Sequence, residues 1–217
     1  MKFKNLLYFI IFFMTFLKNV NSNEINFNSS NIKILNEGNI INALNVVANI
    51  PNQKIEIEGD KSIYDKKNSE LTIINNVKFI DNLKNVYLEG KKVIYNQSTD
   101  IVQTFGKTYI EVQNKYKVYS KDLIYDRKLG KIYTNKDTII KDNEKNVFNL
   151  EENFIYYIER EIISSDKTNI IDSYNNEFKF EKAKINLKNN EIAGKELEVD
   201  FVDSYFGNPE NDPILKG

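Results

Sequence analysis

A chain of 217 residues with no histidine, no cysteine and no tryptophan lacks the side chains on which most catalysis and metal binding rest. Without histidine, no side chain ordinarily titrates near neutral pH, and without cysteine there is no thiol nucleophile; the commonest zinc ligands are gone with them. A reaction would have to run on carboxylates, hydroxyls or lysine. The obvious acidic clusters are Glu151-Glu152 and Asp200 with Asp203. Adjacent strand residues point to opposite faces, so Glu151 and Glu152 cannot form a catalytic pair and read as solvated surface. Ser164-Ser165, Lys66-Lys67 and Lys91-Lys92 read as turn surface, and there is no glycine-rich phosphate loop or nucleophile motif. The expectation is a protein that is not an enzyme, with no catalytic residues, no metal and no cofactor. A net charge of -1 gives no basic footprint, so nucleic acid is not an expected partner.

The chain offers instead a periodic arrangement of apolar and aromatic residues, 41% hydrophobic and 12% aromatic overall, which suits a folded chain. Ile55 to Asp65 reads Ile-Glu-Ile-Glu-Gly-Asp-Lys-Ser-Ile-Tyr-Asp, and Val86 to Asn96 repeats its plan as Val-Tyr-Leu-Glu-Gly-Lys-Lys-Val-Ile-Tyr-Asn. The anchors Tyr64, Tyr95, Tyr125, Tyr156 and Leu187 follow one another at 31, 30, 31 and 31 residues, and Leu71, Ile101, Ile132, Ile162 and Ile192 keep the same beat. Five copies of such a period are the mark of stacked supersecondary units, none of which buries its apolar face alone. Within a copy, Ile55, Ile57 and Gly59 alternate with Glu56, Glu58 and Asp60, the period-two pattern of a half-buried strand. Gly59 falls where the chain bends, and polar turn residues follow each anchor, so a unit is expected to hold about three short strands. The fold class is all-β, an antiparallel stack of ~31-residue repeats.

The ends depart from the repeat. Residues 1–22 look like a signal peptide: Lys2 and Lys4, then an apolar run from Leu6 to Leu17 broken only by Thr15, then Val20-Asn21-Ser22. That run is short for the roughly 20 residues a membrane span needs, which favours a cleaved signal over an uncleaved anchor. Cleavage before Asn23 removes three lysines and leaves 27 basic and 31 acidic residues in a mildly acidic exported chain. With no cysteine, such a chain must be held by burial and strand pairing alone. Residues 23–53 form an atypical capping unit, with turns at Asn36-Glu37-Gly38-Asn39 and Pro51-Asn52; a helix over Ile40 to Ala48 is the alternative to strand there. Residues 54–201 are the repeat stack, in which Glu151 to Ile163 is read as strand because Tyr156 falls on an anchor. Residues 202–217, with Pro209 and Pro213 close together, form a tail or linker.

Repeats ending in Tyr-Asp, as in Glu58-Gly59-Asp60-Lys61-Ser62-Ile63-Tyr64-Asp65 and Leu123-Ile124-Tyr125-Asp126, resemble the OstA-like family of lipopolysaccharide transport, over about Asn31 to Phe201. That family includes the periplasmic bridge protein LptA and the N-terminal domain of the outer-membrane translocon LptD. Gly38-Asn39-Ile40 is similar to the family's Gly-Asn-Val turn, kept only in part at Asn75-Asn76-Val77 and Gly106-Lys107-Thr108. The tail Tyr205 to Gly217 is most like the segment joining the periplasmic domain of LptD to its barrel, although the barrel strands themselves are not in this sequence. The cysteines that some relatives use to join domain and barrel are missing, so that linkage is not carried over.

The resemblance implies a V-shaped or jelly-roll-like β-stack, located in the periplasm and associated with the outer membrane, with lipid acyl chains held between two leaves. Apolar rows consistent with such a groove are Ile57, Leu88, Val118 and Phe180 at one phase and Val93, Leu123, Phe154 and Ile185 at another. Burial of acyl chains there would contribute roughly 0.8 kcal/mol per CH2 and needs no nucleophile. The alternative is a structural or interaction β-solenoid whose rows are closed core. The anchor tyrosines are strand packing with a wet tip or hydroxyls at the groove rim, and the paired lysines are surface or contacts to lipid phosphate. The implied partners are lipopolysaccharide or a related glycolipid, a bridge protein of the same fold docking head to tail, and an outer-membrane β-barrel. Open sheet edges suit such docking; the expected edge residues are Ile32, Ile34, Ile40 and Val46 at one end and Leu197 and Val199 at the other.

Overall fold

The computed structural model of the chain describes residues 24–202 and the backbone of residues 214–216. The expected signal segment and residues 203–213 of the tail lie outside the described residues. Among the described residues the regular elements are strands and two short 3-10 turns, Asn36–Gly38 and Pro51–Gln53. Six long strands open the chain as a meander: β1 (Asn26–Leu35), β2 (Ile40–Ile50), β3 (Ile55–Asp65), β4 (Glu70–Asp81), β5 (Val86–Asn96) and β6 (Ile101–Val112). The next two rungs are each split. β7 (Tyr116–Lys121) and β8 (Ile124–Asp126) both pair with β6, and β9 (Lys131–Thr134) and β10 (Thr138–Lys141) both pair with β11 (Val147–Tyr157). β12 (Ile162–Ile171) and β13 (Glu177–Asn186) continue the sheet, and β14 (Glu191–Lys195) and β15 (Glu198–Asp200) share β13 as one more split rung. β16 (Ile214–Lys216) pairs with β15. Neighbours are antiparallel throughout, in a single 16-stranded sheet.

The all-β repeat stack expected from the sequence is therefore present, and the segments 40–48 and 151–157 are strand. A repeat, however, is two long strands and not three short ones. Its mid-strand polar and glycine residues mark bulges: the register slips between Glu58 and Lys61, Ile74 and Val77, Gly90 and Lys92, and Glu152 and Ile155. An extra residue on one strand lets it bend sharply without ending the ladder. Asn75, Asn76, Gly106 and Asn153 take positive φ at these points, the backbone region that Gly and Asn tolerate best.

The bends fold the sheet over on itself. Phe79 pairs with Leu88 of β5, and Tyr95 lies seven residues further along the same strand, about 23 Å away if the strand ran straight. Yet the rings of Phe79 and Tyr95 are 6.2 Å apart, and Tyr116 packs edge to face on Tyr156 at 6.0 Å. Each rung thus contributes one arm to each of two facing leaves, and the arms' inward residues form one continuous core. At the N-terminal end Phe27 and Tyr64 meet at 5.9 Å and close the space between the leaves.

The pairing also corrects the anchors. One row of the sheet runs Tyr64, Leu71, Tyr95, Val102, Tyr125, Ile132, Tyr156, Ile163, Ile185, Ile192. Val102 and Ile163, not Ile101 and Ile162, face inward beside the tyrosines, and Ile185 rather than Leu187 ends the anchor series. In runs of consecutive apolar residues such as Ile101-Val102 and Ile162-Ile163, sequence alone does not say which parity is inward.

Candidate functional site

All eight residues expected to line a groove face the interior between the leaves. Ile57, Leu88, Val93, Val118, Leu123 and Phe154 are completely buried, and Phe180 and Ile185 are nearly so. Through the middle of the stack the two leaves therefore meet as packed side chains, and the expected open trough is closed there. The interior opens near the C-terminal end. A cavity of about 300 Å3 lies between the arm ends of β7, β11, β12 and β13, with Phe148, Ile170, Phe178, Ile185 and Ile192 as apolar wall and Lys115, Asp142, Glu144, Asp172 and Asn190 among its polar residues. Of the eight groove residues, Ile185 lines it.

The rims of the two leaves are tied together on the N-terminal side of this cavity. Lys115 pairs with Glu161 at 3.3 Å, and the Tyr116 hydroxyl donates to the same carboxylate. Lys84 pairs with Glu159, an exposed acid whose pKa the lysine lowers. The deepest tie is Arg127, in the turn after β8. Its Nε donates to Asp81 Oδ2 at 2.7 Å, one Nη contacts Asp100 Oδ1, and the other donates to the Gln53 carbonyl at 3.2 Å. The Tyr125 hydroxyl donates to Asp81 Oδ2 at 2.9 Å, while Asp81 Oδ1 accepts from the backbone N–H groups of Leu83 and Lys84. The Tyr95 hydroxyl lies against both Asp100 Oδ1 and Gln53 Oε1, and its one proton serves one at a time. Asp81 is fully buried and Arg127 is 4% exposed.

The electrostatics follow from that burial. Desolvation disfavours the tyrosinate form of Tyr125, and the charge of Asp81 pushes its pKa up further. Burial and the neighbouring Asp100 raise Tyr95 in the same way. At Arg127, burial works against the cation, but its hydrogen bonds and Coulomb attraction to Asp81 and Asp100 outweigh it and the guanidinium is held charged. Burial and then the charge of Glu161 push Tyr116 up to about 12.

The acids that the structure brings together are thus Asp81 and Asp100, not the pairs conspicuous in the sequence. Glu151 and Glu152 are exposed, Glu152 pairing with Lys167, and Asp200 pairs with Lys179; Asp203 lies outside the described residues. Among the described residues no group of three or more acidic, histidine or cysteine side chains is placed to hold a metal. The signal that could have found Arg127 is rarity: it and Arg160 are the only arginines in a chain otherwise supplied with lysine.

The edge residues divide. Ile32 and Ile34 lie on the edge strand β1 and are 47% and 62% exposed. Ile40 and Val46 are on β2, which has β1 on one side and β3 on the other, and Val46 is buried core. Leu197 packs against the core. Val199 is buried on β15, between Phe178 of β13 and Leu215 of β16. Part of the segment expected as a tail or linker supplies that covering strand, so the sheet ends there in two edge strands, β16, which pairs with β15 alone, and β14, which pairs with β13 alone.

Fold and site together define an all-β class: a repeat sheet folded into two leaves around an apolar interior that opens at one end. No family model matches the chain, and no curated protein matches it. Among solved structures the chain is similar to LptH of Pseudomonas aeruginosa, described as the LptA homologous periplasmic component of the conserved lipopolysaccharide transport device, with 14% identity, a TM-score of 0.29, and coverage of 76% of this chain and 95% of that one.

Proposed function

We propose that this protein is a periplasmic lipid conduit that takes the acyl chains of lipopolysaccharide or a related glycolipid between its two leaves and passes them toward the outer membrane. The observation that carries this is the apolar interior opening into the cavity bounded by Phe148, Ile170, Phe178, Ile185 and Ile192. An acyl chain seated there would continue the inward rows, and burying it would contribute roughly 0.8 kcal/mol per CH2. The sequence resemblance to the OstA-like family supplies the class of cargo. The edge of β1, with Ile32 and Ile34 exposed, is where a strand of a bridge protein of the same fold would add. β14 offers the corresponding edge at the other end, toward an outer-membrane barrel or a further copy.

A photoreactive residue at Phe178 or Ile192 should form adducts with added lipopolysaccharide, and one at exposed Lys117 on the outer face should not. Adducts at Lys117 with none at the two cavity positions would remove the proposal. A second reading, a purely structural stack, is favoured by the side-chain-filled middle of the interior; it predicts no specific adducts anywhere.

A further inference from the structure

The repeat itself shows what each rim position needs for folding. On one rim the inward row runs Ile50, Ile55, Asp81, Val86, Val112, Tyr116, so Asp81 is the single charge in an otherwise apolar series. On the other rim, Lys66, Gln97, Arg127, Ile158 and Leu187 occupy equivalent places, each donating its backbone N–H to a carbonyl of the turn in the preceding repeat. Two of these five are aliphatic, and Ile158 is as buried as Arg127. The geometry of the rim therefore accepts apolar side chains at both positions, and apolar side chains commonly hold two surfaces together at least as well as a buried ion pair. The charges meet across the mouth of the space between the leaves, where the head group of a molecule with its chains inside would sit.

We propose that Arg127, held between Asp81 and Asp100, is a latch on the rim of the trough, and that the anionic head group of a phosphorylated amphiphile opens it by taking the guanidinium from the two aspartates. The inference rests on the conduit reading above. Parting the rims without a replacement would strand a desolvated cation and a desolvated carboxylate. A phosphate offers Arg127 several oxygens in one forked contact, in place of the single oxygens it now takes from each of two carboxylates. A neutral head group offers no such exchange. Asp100 is partly solvated and Asp81 keeps two backbone N–H donors, so both acids retain partners when the guanidinium leaves. The latch lies toward the N-terminal end from the open cavity, so a cargo taken up at the β1 end meets it before it reaches the cavity.

Leu83 and Lys128 are exposed neighbours of Asp81 and Arg127 on opposite rims, in a chain with no native cysteine. Spin labels on Leu83→Cys and Lys128→Cys report the rim separation by double electron–electron resonance, while release of an apolar fluorescent dye from the interior reports binding. Dodecyl phosphate, below its micelle concentration, should widen the separation at about tenfold lower concentration than dodecyl maltoside, as one charge-assisted contact would give. Inorganic phosphate alone should leave it unchanged. In the labelled chain carrying Arg127→Met with Asp81→Leu, the two amphiphiles should act alike. Dye release by dodecyl phosphate without widening, equal widening by the maltoside in the unaltered latch, or widening by inorganic phosphate alone would each overturn the latch while leaving the conduit standing. Failure of every amphiphile to release the dye would overturn both.

Discussion

Tyr125 and Tyr156 occupy equivalent places in successive repeats and do different work. The Tyr125 hydroxyl donates to a buried carboxylate, whereas the buried Tyr156 hydroxyl has no hydrogen-bond partner among the described residues. Tyr125→Phe should therefore cost about 1.5–3 kcal/mol, the usual worth of a hydrogen bond to a charged group, while Tyr156→Phe should be neutral or stabilising; urea denaturation distinguishes them, and equal losses would sink the distinction. Arg127→Met should cost about 3–5 kcal/mol because it leaves the buried Asp81 carboxylate without its counter-charge, and adding Asp81→Leu should recover most of that loss. A double variant as unstable as the single one would show that the ionic contacts are structurally required. Tyr95, Tyr125 and Tyr156 all have raised pKa values, burial being the main cause in each. The folded state keeps protons that an unfolded chain releases from about pH 10, so this contribution to stability is complete below that pH and is lost as pH climbs toward the folded values. Tyrosinate absorbance and circular dichroism should change together in one alkaline transition; ionisation of these tyrosines in a still-folded chain would contradict it.

At the scale of the strand, Gly59 and Gly90 share a place in the repeat and look alike in sequence, yet their surroundings differ. A Cβ at Gly59 would collide with Ile73 Cγ2 and lie 3.1 Å from the Asn75 carbonyl oxygen, inside the folded-over bulge. At Gly90 the nearest atom, Val93 Cγ2, is 3.8 Å away. Gly59→Ala should thus destabilise by about 1–3 kcal/mol through overpacking, while Gly90→Ala should be neutral or stabilise by up to about 1 kcal/mol by restricting the unfolded chain. Thermal melts of the two variants check this, and equal shifts would refute the bulge geometry. The repeat was legible because inward tyrosines recur with it. The bulges were not, since Gly-Asp or Asn-Asn between apolar runs marks a turn between strands and a bulge within one equally well.

For the molecule as a whole, a stack in which rungs pair mainly with their neighbours should not be uniformly stable. Hydrogen exchange should be slowest in β4, β5 and β6 and fastest in the edge strand β1 and in β14, all of whose residues are exposed. Uniform protection from end to end would argue against the one-dimensional description. Protection of β14 rising on addition of lipopolysaccharide or a partner would place that edge in the working assembly.

By itself the sequence determined that this is a repeat-built all-β chain whose inward rows include Ile57, Leu88, Val93 and Phe154, because a two-residue alternation and a thirty-one-residue beat are both local properties of the chain. Whether those rows face an open trough or one another could not be read from them. That depends on how far each strand bends at its bulge, and only the folded arrangement shows the leaves packed shut in the middle, open beside Phe178 and Ile185, and tied at the rim by Asp81 and Arg127. These two lie 46 positions apart along the chain, and nothing local to either one signals that folding the sheet over brings them into contact.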